Sequence, residues 1–187
     1  MLSQSVGAAQ LQGRILSSEM QIRFLAPDDA PEYSRLRLEM LELEPQAFSS
    51  SAVEHRALGM DELRRRIGSA QEHQFIVGAF DDGRLAGVVG FYRDRGLKTR
   101  HKGHIWGVYV MPEKRGQGLA RKMLETVLQR ASTITGLEQV LLSVAATQTT
   151  AFRLYQSLGF ESWGCEPRGL RIADQWIDEH YMVLRLK

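Results

Sequence analysis

Residues 108–120, Val-Tyr-Val-Met-Pro-Glu-Lys-Arg-Gly-Gln-Gly-Leu-Ala, constrain the fold more than any other stretch, because strand, tight loop and helix start follow without a spacer. Residues 104–110 are apolar and rich in β-branched and aromatic side chains, which suits a central strand. Pro112 has no N–H for a ladder and ends it. Gly116 and Gly118 then remove two Cβ atoms within three residues, so the backbone can turn sharply and a bulky anion can approach its N–H groups. From Leu119 onward Met123, Leu124, Val127, Leu128 and Ala131 recur at helical spacing, with Arg121, Lys122, Glu125, Gln129 and Arg130 on the other face. The loop therefore opens a helix. Unpaired N–H groups and the positive dipole end favour a phosphate there, and Arg115 adds a charge.

Two common phosphate motifs do not fit. No Gly-Lys-Ser/Thr follows, so a P-loop lacks its lysine and its magnesium hydroxyl. A dinucleotide fingerprint needs a third glycine where Arg121 stands. Arg115-Gly-Gln-Gly-Leu-Ala120 instead resembles the Arg/Gln-x-x-Gly-x-Gly/Ala motif of the GNAT N-acetyltransferases. A second match follows at the expected distance. After a buried-strand pattern at residues 139–144, the run from Ala151 to Phe160, Ala-Phe-Arg-Leu-Tyr-Gln-Ser-Leu-Gly-Phe, is similar to that family's Asn-x-x-Ala-x-x-Leu-Tyr-x-x-x-Gly-Phe signature. One position departs, since Gln148 stands where the family has asparagine.

The resemblance, which runs from about Met20 to the C-terminus, implies a single α/β (α+β) domain. Its central sheet is mixed and mostly antiparallel, with six to seven strands flanked by helices and a split between the fourth and fifth. It also implies acetyl-CoA as the acyl donor. Arg115, Gly116, Gln117, Gly118, Leu119 and Ala120 would wrap the pyrophosphate, with Val108, Tyr109 and Val110 beside the pantetheine arm and Gln148 touching it. In the family one main-chain N–H of this strand, here that of Val108, points into the split and polarises the thioester. Tyr155 falls where the family has a tyrosine near the sulfur; the alternative is that it only packs with Phe152 and Leu158.

Acetyl transfer to an amine needs a proton acceptor, because a lysine-type amine is neutral only roughly one part in a thousand at neutral pH. His104 is the candidate base, since an imidazole accepts a proton near neutrality and it lies six residues before Val110, where histone-modifying relatives place a glutamate. A structural His104 is the alternative, with Glu179 or Asp178 next in line. Tyr155 is the candidate acid, returning a proton to the thiolate.

Composition excludes several classes. A formal charge of +2 gives no bulk attraction for nucleic acid or anionic lipid, and no apolar run reaches the ~20 residues of a membrane span. Cys165 is the only cysteine, so no internal disulfide is expected, a reducing cytoplasmic setting is favoured, and no metal site has spaced ligands.

In chain order, residues 1–18 carry neither an h-region nor a basic n-region and read as a loose extension, with the domain at 19–187. Residues 20–25 alternate as a first strand. Pro27 and the two aspartates after it mark a helix cap, and Leu36, Met40, Leu41 and Leu43 lie on a helix that ends before Pro45. Residues 48–57 are polar and serine-rich, and a short helix spans 61–67. Its Arg64, Arg65 and Arg66 either attract an acidic substrate or form a solvated face. Strands at 74–80 and 84–92 join through Asp81-Asp82-Gly83, a hairpin signal. The basic loop 95–102 either reaches the adenosine phosphate or is solvated. Residues 161–174 show no period that assigns them, and 175–186 form a last strand. The expected function is amine acetylation by direct transfer in a ternary complex, on a small-molecule or protein amine, with a homodimer possible. The rival, hinted at by Gln148, is a non-catalytic acyl-CoA sensor of the same fold.

Overall fold

Continuous apolar runs in the two middle strands require both faces of the sheet to be covered, and the computed structural model, which describes residues 20–68 and 73–186, shows how. The expected extension 1–18 lies outside the described residues. The elements are β1 (Met20–Phe24), α1 (Ala30–Leu43), α2 (Ala52–Arg56), α3 (Met60–Gly68), β2 (Gln74–Asp81), β3 (Arg84–Arg93), β4 (Lys102–Val110), α4 (Leu119–Ser132), β5 (Gln139–Ala145), α5 (Thr149–Ser157), β6 (Glu161–Ile172) and β7 (Gln175–Arg185). The strands form one seven-stranded sheet in the order β1-β2-β3-β4-β5-β7-β6. Every neighbouring pair is antiparallel except β4 with β5. Asp82 and Gly83 both take positive φ, as a tight hairpin turn between β2 and β3 demands.

The alternation of β2 divides the core. Phe75, Val77 and Ala79 pack with Met123, Leu124 and Val127 of α4 on one face, while Ile76 and Phe80 pack with Leu36, Met40 and Leu63 of α1 and α3 on the other.

Two features of β4 position the site. Its parallel pairing with β5 covers only Lys102 to His104, after which the two strands part. On its other edge, Val88 pairs with Tyr109 but Gly90 pairs with Trp106, so Gly107 and Val108 oppose one residue of β3 in a bulge. Gly107 takes φ +62 there, a left-handed conformation that suits glycine.

Several local expectations change. The serine-rich stretch contains α2, because Ser51 and Glu54 make a reciprocal capping box. The unassigned residues 161–174 are largely β6, an edge strand whose two register shifts and positive-φ Arg168 break the period that would reveal it. The three arginines of α3 pair with that helix's own Asp61 and Glu62, which supports the solvated face. The basic loop before β4 lies at the opposite end of that strand from the glycine loop, roughly 25 Å away at strand rise. None of its residues lines the cavity over the glycine loop.

Candidate active site

At the C-terminal end of β4 a cavity of about 490 Å³ opens over the glycine loop. Val108, Tyr109, Val110, Arg115, Gly116, Gly118, Leu119, Ala120, Gln148 and Tyr155 all line it, as the sequence pattern predicts; the exposed Gln117 does not. Gly116 has φ +76 and Gly118 φ +74, and a Cβ added at either would meet no atom within 4 Å. The loop is therefore a cradle whose floor is main chain and whose space a side chain would fill. Gly118 is also the N-cap of α4, so the helix start faces the same opening.

Charge around the cradle is positive. Lys114 and Arg121 join Arg115 on its lining, two cations that the motif alone did not single out. Arg115 also has a structural duty: its Nε donates to Val110 O at 2.9 Å, and its guanidinium pairs with Glu44 and lies 5.6 Å from the Tyr109 ring centroid. The guanidinium thus ties the loop to the end of β4. Tyr109 points its phenol at Glu39 of α1, 3.4 Å away. Burial, and then the Glu39 charge, push its pKa up to about 12.

Behind this cavity the parted strands leave a space of about 90 Å³, lined by Gly107, Val108, Leu142, Gln148 and Tyr155 among others. It shares Ile105, Trp106 and Gly107 with a third cavity of about 620 Å³, which His104, Tyr92, Glu179 and Tyr181 also line. The three spaces form a passage through the split.

Tyr155 sits at its centre, 5% exposed, with Phe160 edge-on at 6.1 Å. It lines both the loop cavity and the connecting space. Burial pushes its pKa far above the ordinary phenol value, so it holds its proton at any working pH. No protein hydrogen bond engages that hydroxyl among the described residues, which leaves it free to donate. Ala151, one turn earlier on α5, lines the same two spaces and leaves room beside the ring.

His104 lies at the crotch where β4 and β5 separate, since it is the last residue of the parallel pairing. Its ring stacks on Tyr92 at 4.6 Å, and Nε2 is 3.1 Å from Asp94 Oδ1, misaligned for a hydrogen bond. The structure does not bring His104 and Tyr155 into one cavity; Tyr155 lines the loop cavity and the connecting space, and His104 the cavity beyond. Glu179 accepts from Ser143 Oγ at 3.1 Å in the His104 cavity, whereas Asp178 accepts the Arg168 N–H. Gly107 was not singled out from the sequence, although a lone glycine inside a strand pattern is a bulge signal.

Fold and site together define a class: a mixed sheet split along its one parallel pair, with a cavity on each side of the opening. Residues 37–160 match the acetyltransferase (GNAT) family, and the chain belongs to that family. A mycothiol acetyltransferase of Thermobispora bispora is 36% identical over 129 residues, 66% of this chain and 42% of that protein. The chain thus spans less than half the length of that relative. An acetyltransferase of the GNAT family from Streptococcus pneumoniae superposes with a TM-score of 0.81 at 27% identity, covering 90% of this chain and all of that one. A Salmonella typhimurium structure solved with its cofactor acetyl-CoA gives a TM-score of 0.76 at 22% identity over 91% of this chain and 95% of its own.

Proposed function

We propose that the chain transfers the acetyl group of acetyl-CoA to an amine by direct attack in a ternary complex. The observation that carries this reading is the passage: a cationic glycine cradle and a polar cavity meet at Tyr155 and the Gly107–Val108 bulge. The residues fit the donor. Open Cβ positions at Gly116 and Gly118, with Lys114, Arg115 and Arg121 nearby, suit a pyrophosphate. The acetyl-bearing end would then lie beside Val108 and Tyr155.

In the reaction the amine nitrogen forms a bond to the acetyl carbonyl carbon, and the C–S bond breaks. Val108 N–H stabilises the carbonyl oxygen as charge develops on it. The proton lost by the ammonium passes to His104 or solvent at the other end of the passage; the leaving thiolate takes one from Tyr155, and the phenolate recovers it from the acylated nitrogen as the amide forms. A buried phenol of raised pKa is a weak acid, so it donates only as the sulfur gains charge, which is the differential behaviour a transition state requires.

Thiol detection with a panel of amines and saturating acetyl-CoA tests the reading. Amine-dependent CoA release is expected. Acetyl-CoA that binds in the cradle and is never discharged by any amine would leave the non-catalytic acyl-CoA sensor as the better description.

A further inference from the structure

The buried stripe of α1 runs Tyr33, Leu36, Met40 and Leu41, and an arginine interrupts it. Arg37 is only 7% exposed. Among the described residues its one hydrogen-bonding contact is Nη1 to Met40 Sδ at 3.7 Å, a weak acceptor. The guanidinium is flanked by Phe48 at 5.6 Å and Trp106 at 5.5 Å. No carboxylate pairs with it among the described residues. Burial lowers its pKa from the ordinary arginine value, and only Tyr33, one turn earlier on α1, opposes that. A guanidinium still stays charged at neutral pH, and burying one without a counter-ion is costly.

The acids that share its surroundings are engaged elsewhere. Glu54 accepts from Ser51 N at 2.8 Å and Ser51 Oγ at 2.9 Å, and Glu179 is held by Ser143. The other cationic group of the adjoining 420 Å³ cavity, Arg66, pairs with Glu62, and burial followed by the Arg37 charge lowers the pKa of His55, favouring its neutral form. One positive charge between two aromatic rings, with a planar fork of donors, suits a monoanionic carboxylate better than a phosphate.

Its location couples this charge to the chemistry. Arg37 lines both the 420 Å³ cavity and the 620 Å³ cavity that contains His104. Its Nη1 is 3.1 Å from where a Cβ on Gly107 would stand, next to Val108 in the bulge. A carboxylate seated on Arg37 therefore faces the residue just before the amide assigned to the thioester. We propose that Arg37 anchors a carboxylate of the acceptor, so that the favoured substrates are short amino carboxylates whose amine is carried into the split. This rests on the amine-acetylation reading above.

The test uses the full chain, saturating acetyl-CoA, and two matched series: L-α-amino acids with β-alanine, and their carboxamides. Wild type, Arg37→Lys and Arg37→Met are compared. In the wild type at least one acid should exceed its carboxamide in kcat/KM by roughly 10- to 100-fold, the range of a charge-assisted hydrogen bond, mainly through KM. Arg37→Met should bring that ratio to about one with acetyl-CoA affinity kept, and Arg37→Lys should restore part of it. Carboxamides acetylated as well as or better than acids by the wild type would overturn the anchor while leaving amine acetylation intact, and so would a ratio unchanged in Arg37→Met. If Arg37→Met fails to fold, the wild-type ratio decides alone. If neither series is acetylated, the amine panel above decides the amine-acetylation reading separately, and calorimetry of the same amino acids with the acetyl-CoA-loaded wild type decides the anchor: carboxylate-dependent binding supports it and none overturns it.

Discussion

Gly118→Val isolates what the loop does for the ligand from what it does for the fold. Gly118 has φ +74 and nothing within 4 Å of an added Cβ, so the substitution meets no steric block in the protein itself. Its cost is conformational: a left-handed L-residue loses ~1–2 kcal/mol, and a β-branched one somewhat more. For a chain of this size that lowers Tm by roughly 2–8 °C. The affinity effect has a different origin, because the new side chain fills the space over the N–H groups at the start of α4. Losing one charge-assisted hydrogen bond there costs ~1.5–3 kcal/mol, which weakens acetyl-CoA by roughly 10- to 150-fold. Gly83→Val is the matched control for backbone strain, with φ +80, the same open surroundings, and a place in the β2–β3 turn outside the residues that line the cavity. Calorimetry with acetyl-CoA and thermal melting on both variants separate the two effects. Similar melting losses with affinity lost only in Gly118→Val are expected; unchanged affinity in folded Gly118→Val refutes the cradle.

Tyr155→Phe keeps the packing against Phe160 and removes the proton, so kcat should fall by something like 10²–10⁴ with acetyl-CoA affinity retained, as single-turnover measurements would show. Equal rates would mean the phenol only packs. His104→Gln should lower kcat with acetyl-CoA affinity kept; a variant that keeps the wild-type rate moves the base to Glu179 or to solvent. Asp29 is hydrogen-bonded by Arg23, chiefly, and by Ala26 N–H, which lowers its pKa against burial. Its depressed folded pKa stabilises above the unfolded carboxylate range, with the benefit disappearing as pH falls through the folded value. Asp29→Asn should therefore cost ~1 kcal/mol at pH 7, about 2–4 °C in Tm, and the gap should narrow below about pH 4.

The legible parts of this chain are those where local chemistry and tertiary role coincide. The β4, loop and α4 unit could be read residue by residue, because its apolar strand, two glycines and helical stripe each have one plausible use. Gln148 and Tyr155 were legible as a second motif and came together with the loop only through the fold. What escaped depends on partners distant in sequence. β6 is an edge strand paired with β7 alone, and its register shifts erase the alternation that marks a strand. The Gly107 bulge needs the opposing β3 to define it. Arg37 belongs to no motif, yet its neighbours Tyr33, Met40 and Leu41 put it inside the buried stripe. The distance between His104 and Tyr155 along the passage follows from the parting of β4 and β5, which no spacing in the sequence encodes.

The most direct measurement of where the donor binds is amide chemical-shift mapping of the protein titrated with acetyl-CoA. The largest perturbations are expected at Val108, Gly116, Gly118, Leu119 and Ala120, with a second group at Gln148 to Tyr155 and little change in residues 95–102. Perturbations centred on residues 95–102, or absent from the glycine loop at saturation, would contradict the placement of the donor and with it the site described above.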